Sequence, residues 1–229
     1  MDQKHVVITG AGSGLGASLA KKYAEAGHFI TLIGRRIEKL KEIAASFSHS
    51  DYAVYSLDVA AYQDVESIFA EIAMDKPIDM LINNAGVGYF ALAEEISAEQ
   101  THHMIDINLK GTIFCTQQVL PAMKERNNGS IVNIVSTAGL EGKVTESVYC
   151  ASKFGVKGFT QSIVQELSET DIHVTAVYMG GMHTPFWDGL IDEANRGGLM
   201  HPDDIADIIM ANIAIRKNIN VPQIVIKNH

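Results

Sequence analysis

The segment SVYCASKFGV, residues 147–156, places a phenol and an ammonium group in an otherwise small and apolar run. Tyr149 and Lys153 are four residues apart, and in a helix this spacing puts both side chains on one face. A free tyrosine has a pKa near ~10, so roughly 0.1% of it is ionised at neutral pH. An ammonium group about 4 Å away lowers that pKa by about three units at an effective dielectric constant of about 20. The spacing indicates a tyrosine that can exchange its proton, and the alternative is a surface lysine beside a core-capping tyrosine.

A glycine-rich segment, TGAGSGLG (9–16), follows the first apolar run. Gly10 permits a tight turn, Gly14 lets a pyrophosphate approach the backbone, and Gly16 allows close packing of helix on strand. The N–H groups at a helix start, here around Leu15, attract phosphate. The spacing differs from G-x-G-x-x-G, but its place after a strand predicts dinucleotide binding over a purely structural turn. A nucleoside triphosphate loop is disfavoured because no Gly-Lys-Ser/Thr follows.

Two arginines end the second apolar run, in IGRR (33–36). NAD sites usually carry an acidic residue here, whereas the guanidinium groups of Arg35 and Arg36 match a 2′-phosphate in charge and shape. Ser13 is a possible third phosphate ligand. The sequence therefore favours NADP(H) as cofactor, and the alternative is a pair of solvated arginines at a helix start, where cations are mildly unfavourable.

Polar residues also end the third and fourth apolar runs. In LDV (57–59) Asp58, followed by Val59, is a candidate partner for the adenine amino group. In NNAG (83–86) the candidates for cofactor contact are Asn84, Ala85 and Gly86. Simple turn chemistry explains either segment equally well.

Short apolar runs alternate with longer helical patterns along the whole chain. The runs lack polar alternation, as strands buried on both faces do, and cover 5–9, 29–34, 52–59, 79–86, 130–136, 172–179 and 223–227. Helices are expected around 15–26, 38–47, 61–73, 98–126, 148–168 and 203–214, the fourth opened by a capping box, Ser97 with Gln100. This order predicts one doubly wound Rossmann-like α/β domain over 1–229, with a seven-stranded, mainly parallel sheet and helices on both faces. Ligands of such sheets bind beyond the carboxyl ends of the strands, where every motif above lies.

The overall composition is that of a globular domain: 229 residues, 47% hydrophobic and 20% charged, with a net charge of −9. That charge disfavours a nucleic-acid or anionic-membrane partner, because both need clustered Lys and Arg. Cys115 and Cys150 do not make a disulfide framework, which favours a reducing compartment. His102 and His103 lack ligand spacing, so no metal site is expected. An apolar strand begins within five residues and no run reaches membrane length, so we expect a cytoplasmic protein without a signal peptide or membrane span.

Taken in order, these motifs resemble the short-chain dehydrogenase/reductase family, from about residue 4 to residue 226. The resemblance rests on TGAGSGLG, NNAG, Asn108, Ser136, YCASK and the GGMHT segment. It implies that Tyr149 is the general acid in carbonyl reduction and the base in alcohol oxidation. It also implies that Lys153 holds the nicotinamide ribose, that Ser136 stabilises the developing oxyanion, and that Asn108 holds a water linking Lys153 to solvent.

The segment after the sixth run departs from the family's Pro-Gly-x-x-x-Thr pattern. It reads MGGMHT (179–184), with Met179 in the proline's place while Gly180 and Thr184 match. The backbone around Met182 and Thr184 is expected to contact the nicotinamide carboxamide, in a loop less rigid than one with proline. The chain also ends soon after the seventh run, without the glycine-rich tail of many relatives, which weakens the expectation of their tetramer.

The helices at 98–126 and 148–168 resemble those of the family's main dimer contact, so a homodimer or homotetramer is expected. The second of them carries small or apolar residues suited to close packing within or between chains: Ala151, Ser152, Gly155 and Phe159.

The resemblance predicts an NADP(H)-dependent carbonyl reductase or alcohol dehydrogenase acting on a small molecule. The alternatives are reduction of a 3-oxoacyl group on acyl carrier protein, an acidic partner that the negative charge disfavours, and a non-catalytic NADP sensor. The substrate pocket is expected from residues 138–147 and the irregular region around 180–201. Four apolar residues there either line a pocket for a hydrophobic or aromatic carbonyl compound or pack on the core: Phe186, Trp187, Leu190 and Leu199.

Overall fold

Seven apolar segments form one sheet in which every pair of neighbouring strands is parallel. The computed structural model describes residues 3–48, 51–189, 196–214 and 219–229. The strands are β1 (His5–Thr9), β2 (Phe29–Gly34), β3 (Tyr52–Ser56), β4 (Met80–Asn83), β5 (Gly129–Ile134), β6 (Ile172–Met179) and β7 (Gln223–Ile226). Their order is β3-β2-β1-β4-β5-β6-β7, so the chain reverses its direction of winding between β1 and β4. That switch point is where such sheets bind ligands.

Helices connect the strands and cover both faces of the sheet. They are α1 (Gly14–Glu25), α2 (Ile37–Ala44), α3 (Tyr62–Asp75), α4 (Ala98–Met104), α5 (Thr112–Arg126), α6 (Ser147–Glu166) and α7 (Pro202–Ile213). The expected capping box at the start of α4 is confirmed, since Ser97 and Gln100 bond reciprocally. The expected helix over 98–126 is continuous, but residues 105–111 form a π-helical turn, named the π turn below, between α4 and α5.

Two hydrophobic layers follow from the alternation of side chains along buried strands. On β1, Val6 and Ile8 face the layer formed with α1, α2 and α7. Val7 faces the opposite layer, formed with α3, α5 and α6. Both faces of the central strands are thus buried, which explains why their sequences are uniformly apolar.

Strand ends differ slightly from the sequence prediction. β3 ends at Ser56, so the LDV segment lies in the loop after the strand rather than at its end. β5 ends at Ile134, so Ser136 lies beyond that strand, next to a short 3₁₀ helix at Thr137–Gly139. In both cases the segment still lies at the carboxyl edge of the sheet.

Throughout the described ranges, no helix combines the length and apolar character that crossing a bilayer requires.

Candidate active site

A cleft of about 660 Å³ opens at the carboxyl ends of the strands. At one end lie the glycine turn after β1 and the arginines after β2, and at the other lie Ser136, Tyr149 and Lys153. Of the predicted site residues, only Gly16 and Asn108 are not in its wall, and both support residues that are. The fold therefore brings the separate sequence motifs together in one site.

The glycine turn has the backbone that its sequence predicts. Gly10 and Gly14 have φ angles of 65° and 52°, which favour glycine. A side chain at Gly16 would overlap the Gly10 carbonyl oxygen and the Asn84 side chain, so this position holds α1 against the loop after β4. Ser13 precedes α1 and its hydroxyl does not cap the helix, which leaves the first N–H groups of α1 open to the cleft.

Asn84 joins the loop after β4 to the glycine turn. Its side-chain amide donates to the carbonyl oxygens of Thr9 (3.0 Å) and Gly10 (3.2 Å), and its backbone N–H donates to the Thr9 hydroxyl. Asp58 uses one carboxylate oxygen to accept from the Ala60 N–H at 3.0 Å, so it makes a turn and also lines the cleft. In both segments, the polar residue makes local hydrogen bonds of a turn and also lines the cleft.

The adenosine end of the cleft is positively charged. Arg35, Arg36 and Lys39 line it, and Arg35 reaches across to His103, whose Nε2 is 3.5 Å from the guanidinium. The N–H groups at the start of α1 are open to the cleft, and the glycine turn leaves no room for a Cβ at Gly10 or Gly16. Together with these features, the three cations fit a phosphorylated dinucleotide. They would hold its pyrophosphate and 2′-phosphate.

Ser136 and Tyr149 meet at the other end. The Ser136 hydroxyl accepts from the Ala138 N–H at 3.1 Å, and the Ser136 side chain is near enough to Tyr149 to affect the pKa of that phenol. Ser136 has φ 134° and ψ 154°, a conformation that L-residues rarely adopt. Such strain persists where the surroundings impose it and often marks active sites.

The pKa of Tyr149 is shifted in the direction opposite to the sequence prediction. Tyr149 is buried, and removal from water raises its pKa, while the hydrogen bond from Ser136 opposes that rise. Burial also lowers the pKa of Lys153 to about 8. The Lys153 Nζ lies 5.7 Å from the centre of the tyrosine ring and donates to the Ile134 carbonyl oxygen at 3.2 Å. The prediction counted only the attraction between the two charges and omitted the cost of burying them.

Asn108 lies in the π turn and is almost completely buried. Its amide exchanges two hydrogen bonds with the Val87 backbone (2.8 and 2.9 Å) and donates to the Ser152 hydroxyl at 3.0 Å. Ser152 in turn donates to the Tyr149 carbonyl oxygen at 2.7 Å. The Asn108 side chain therefore ties the loop after β4 to α6, and its backbone carbonyl oxygen accepts from the Thr112 hydroxyl at 2.8 Å. The water expected at Asn108 stays a prediction. π-helical turns are frequent at functional sites.

The segment after β6 is held at its base. Met179 ends β6 in the core, and Gly180 donates to the Ile226 carbonyl oxygen at 3.0 Å. The Asn228 amide donates to the carbonyl oxygens of Gly181 (3.1 Å) and Gly198 (2.8 Å), which joins the two ends of the loop. These hydrogen bonds restrain the base of the segment that lacks the proline, and the lower rigidity expected of it stays a prediction. Met182 and Thr184 line the cleft as predicted, and Thr184 is buried against Gly14.

Aromatic side chains form one wall next to Tyr149. Phe186 and Trp187 line the cleft and also pack on Phe90, whose ring is 5.4 Å from that of Trp187 and 5.5 Å from that of Tyr149. Leu199 lines the cleft too, and the predicted Leu190 lies outside the described residues. Phe186 and Trp187 thus line the cleft and pack on Phe90 at the same time, and the apolar substrate stays a prediction.

Two residues near Tyr149, Tyr89 and Phe90, were not predicted from the sequence, whereas Lys143 and Glu146 lie in the segment 138–147 predicted to form the substrate pocket but were given no role of their own. Tyr89, Lys143 and Glu146 line the cleft, and Phe90 backs the aromatic wall. The signal was available for Tyr89 and Phe90, since they follow β4 at the ligand-binding edge. Within the described ranges, no group of three or more His, Cys, Asp or Glu side chains is arranged to hold a metal ion.

Comparisons with known proteins agree with this geometry. Residues 4–195 match the sequence profile of the short chain dehydrogenase family. An uncharacterized oxidoreductase of Staphylococcus epidermidis is 33% identical over 226 residues, covering 98% of this chain and 97% of the relative. The closed form of a serine dehydrogenase complexed with NADP+ superimposes with a TM-score of 0.91 at 30% identity, covering 96% and 93% of the two chains. A short-chain dehydrogenase from Sphingobium yanoikuyae in complex with NADPH gives 0.87 at 29% identity, with 96% and 87% covered.

Proposed function

Because the chain belongs to the short-chain dehydrogenase family, we propose that it is an NADP(H)-dependent oxidoreductase that interconverts a small carbonyl compound and its alcohol. One observation carries the proposal. Ser136, Tyr149 and Lys153 converge on the same cleft as the glycine turn, although they come from different segments. A cofactor-sensing protein would have no need of this set of proton-transferring groups.

NADP(H) is the cofactor that the charges in the cleft favour. Arg35 and Arg36 lie where a carboxylate would select NAD(H), and Lys39 adds a third cation. The serine dehydrogenase and the Sphingobium enzyme, both similar in structure, bind NADP+ and NADPH respectively. These relatives support the same choice for this chain.

The protein's own groups manage the proton. Bound NADP(H) supplies or accepts the hydride. In reduction, Tyr149 donates its phenolic proton to the substrate oxygen, and its raised pKa keeps the phenol protonated and able to donate. The Ser136 hydroxyl donates to the same oxygen as negative charge develops on it. In oxidation Tyr149 first passes its own proton to Lys153 and on to solvent, so that it can take the hydroxyl proton of the alcohol while the hydride goes to NADP+; the products are the carbonyl compound, NADPH and H+.

Lys153 returns the proton in this proposal. Its lowered pKa, about 8, lets it both carry and release a proton near neutral pH. A water on the Asn108 backbone carbonyl would link it to solvent. The ammonium group would also hold the nicotinamide ribose.

The test is the Tyr149→Phe variant with a panel of ketones, diketones and 3-oxoacyl thioesters, followed by NADPH absorbance. We expect at least a roughly thousandfold loss of kcat, because the proton donor is removed, with NADPH binding unchanged by fluorescence titration. Tyr62→Phe, an exposed tyrosine on α3, is the matched control and keeps full activity. Turnover retained by Tyr149→Phe would refute the assignment. Turnover of carrier-bound thioesters alone would favour the acyl carrier protein alternative.

A further inference from the structure

Two opposite charges face the cleft from the loop that joins the Ser136 segment to α6. Lys143 and Glu146 line the same cleft as Ser136 and Tyr149, and each is half-buried. The proposed proton transfer uses neither of them. In the part of the chain that the structure describes, they form no ion pair with each other or with another residue.

Lys143 is anchored to the segment that carries Ser136. Its Nζ donates to the Thr137 hydroxyl at 2.8 Å, and Thr137 directly follows Ser136. An ammonium group has three N–H donors, so two remain for a ligand. A neutral hydroxyl leaves the positive charge uncompensated, and a substrate carboxylate would compensate it.

Glu146 lines the cleft three residues before Tyr149. It immediately precedes α6, yet its side chain makes no capping hydrogen bond to that helix. Its negative charge contributes to the raised pKa of Tyr149. Partial burial raises the pKa of Glu146 itself, and the charge of Lys143 opposes this. A cationic group of a substrate would meet a carboxylate here that forms no ion pair within the described residues.

The backbone between the two charges is strained. Thr145 has φ 64°, in the left-handed region, which is costly for a β-branched residue. Its carbonyl oxygen accepts from the Ala91 N–H at 3.0 Å, and Glu146 donates to the Lys143 carbonyl oxygen at 3.2 Å. The loop after β4 thus holds a tight turn that presents both charged side chains to one rim of the cleft.

The aromatic wall supplies a third contact. Phe186 and Trp187 line the cleft close to Tyr149, with Phe90 packed behind them. An apolar or aromatic group of a substrate would pack on them.

From these contacts, and resting on the function proposed above, we propose that the substrate is an amino acid with a hydroxyl or oxo group on the β-carbon. Lys143 binds its carboxylate, Glu146 binds its ammonium group, and the aromatic wall takes an apolar substituent on the reacting carbon. Oxidation removes the β-carbon hydrogen as hydride to NADP+ and the hydroxyl proton to Tyr149, leaving the β-oxo amino acid, NADPH and H+.

Four alcohols with one skeleton test the proposal by their charge. They are phenylserine (both charges), 3-hydroxy-3-phenylpropanoate (carboxylate only), 2-amino-1-phenylpropan-1-ol (ammonium only) and 1-phenylpropan-1-ol (neutral). The rate of NADPH formation gives kcat/KM for the wild type, Lys143→Gln and Glu146→Gln. Lys124→Gln and Glu125→Gln, exposed on α5 and away from the cleft, are matched controls. The thermal shift produced by phenylserine in the presence of NADP+ gives a readout independent of turnover.

We expect phenylserine to be the best of the four, with the neutral alcohol at least about tenfold worse, since the neutral alcohol lacks both charge-assisted hydrogen bonds. Lys143→Gln lowers kcat/KM about 10- to 100-fold for the two carboxylates and by less than about threefold for the other two. Glu146→Gln lowers kcat/KM about 10- to 100-fold for the two alcohols with an ammonium group and by less than about threefold for the other two. Both variants reduce the thermal shift, and the control variants change neither readout.

Equal losses on all four alcohols would overturn the proposal, because they would show that the loop has only a structural role. A neutral alcohol as good as phenylserine would also overturn it. If these four are inert while another carbonyl compound turns over in a Tyr149-dependent way, the substrate class is wrong and the proposed function stands. If nothing in either panel turns over, the proposed function itself fails.

Discussion

Single residues in unfavourable backbone conformations mark the rim of this site. Ser136 and Thr145 have positive φ angles although neither is glycine; Ser136 lines the cleft, and Thr145 lies between the lining residues Lys143 and Glu146. The other non-glycine residue of this kind in the described ranges, Asn127, ends α5, where asparagine commonly adopts the left-handed conformation. The positive φ of Asn127 is therefore ordinary for the end of a helix. We interpret only the strain at Ser136 and Thr145 as functional.

Cofactor choice is also decided by single residues. Arg35→Ala and Arg36→Ala are each expected to raise the KM for NADPH about 10- to 100-fold, because a charge-assisted hydrogen bond to the 2′-phosphate is lost. The KM for NADH, which lacks that phosphate, should change by less than about threefold. Initial-rate measurements with both cofactors test this, with the exposed Lys41→Ala on α2 as control. Equal effects on the two cofactors would contradict the assignment.

His5 links protein stability to pH. It is buried on β1, with Nδ1 3.0 Å from the Lys76 carbonyl oxygen and Nε2 2.8 Å from the Thr31 hydroxyl. Carbonyl oxygens only accept, so Nδ1 carries the hydrogen and Nε2 accepts from Thr31. Burial lowers the pKa of His5 below 6.5, and the pKa of His28 is lowered in the same way. The folded state therefore keeps a neutral His5 where the unfolded chain is already protonated.

The contribution of neutral His5 to the free energy of unfolding should therefore be fully present above the pKa of histidine in the unfolded chain. The free energy of unfolding should fall as the pH drops below that pKa. Each buried neutral histidine contributes a slope of up to about 1.4 kcal/mol per pH unit. Urea unfolding at about pH 7.5 and about pH 5.5 measures the difference. His5→Asn should reduce that difference, whereas the exposed His102→Asn should preserve it. An unchanged difference in His5→Asn would exclude His5 as the cause.

Among the elements, the π turn decides how the catalytic helix is held. It places Asn108 between the loop after β4 and α6, where its amide satisfies the Val87 backbone and Ser152. A regular helix would rotate this side chain relative to those partners, because the π turn contains one more residue per hydrogen-bonded turn.

Asn108→Ala should therefore destabilise the protein by about 2–4 kcal/mol, since it leaves the partly buried N–H and carbonyl of Val87 and the buried Ser152 hydroxyl without their partner. The measurement is urea unfolding, together with the KM for NADPH, which should rise as the loop after β4 loosens. Asn212→Ala, an exposed asparagine on α7, is the control and should cost less than about 1 kcal/mol. If Asn108→Ala also lowered the free energy of unfolding by less than about 1 kcal/mol, the π turn would be held by other contacts.

On the scale of the whole molecule, α6 presents a surface suited to a second copy of the chain. Ala151, Phe154 and Gly158 lie along its exposed side; Phe154 is 42% exposed, and a Cβ added to Gly158 would meet nothing within 4 Å. Ser152 and Gly155 instead pack inside the chain, Gly155 against Leu109. The close packing expected of this helix is thus divided between an internal face and an open one, and at least a dimer remains our proposal.

Phe154→Glu should shift the mass in solution toward the single chain, because a carboxylate would be buried in the contact. Light scattering at micromolar concentration measures this, and the wild type should have at least twice the mass of the chain. Met74→Glu on α3, equally apolar and 84% exposed, is the control and should leave the mass unchanged. A monomeric wild type would refute the dimer.

The amino-acid sequence by itself determined the order of the elements, the glycine turn and the four-residue spacing of Tyr149 and Lys153. These features depend on neighbours along the chain: buried strands need uniformly apolar runs, and a helix face is fixed by its period. The capping box at Ser97 and the all-parallel winding were predictable for the same reason.

Only the tertiary structure decided which loops meet at the substrate end of the cleft and how burial acts on the charges there. Phe90 meets Tyr149 because the loop after β4 packs against α6, and that loop also holds the turn between Lys143 and Glu146 through Ala91. The pKa of Tyr149 rises instead of falling because the surroundings remove water from the phenol and from Lys153 alike. Desolvation depends on the whole packed environment. The spacing of Tyr149 and Lys153 along the sequence therefore could not predict whether the pKa of Tyr149 rises or falls.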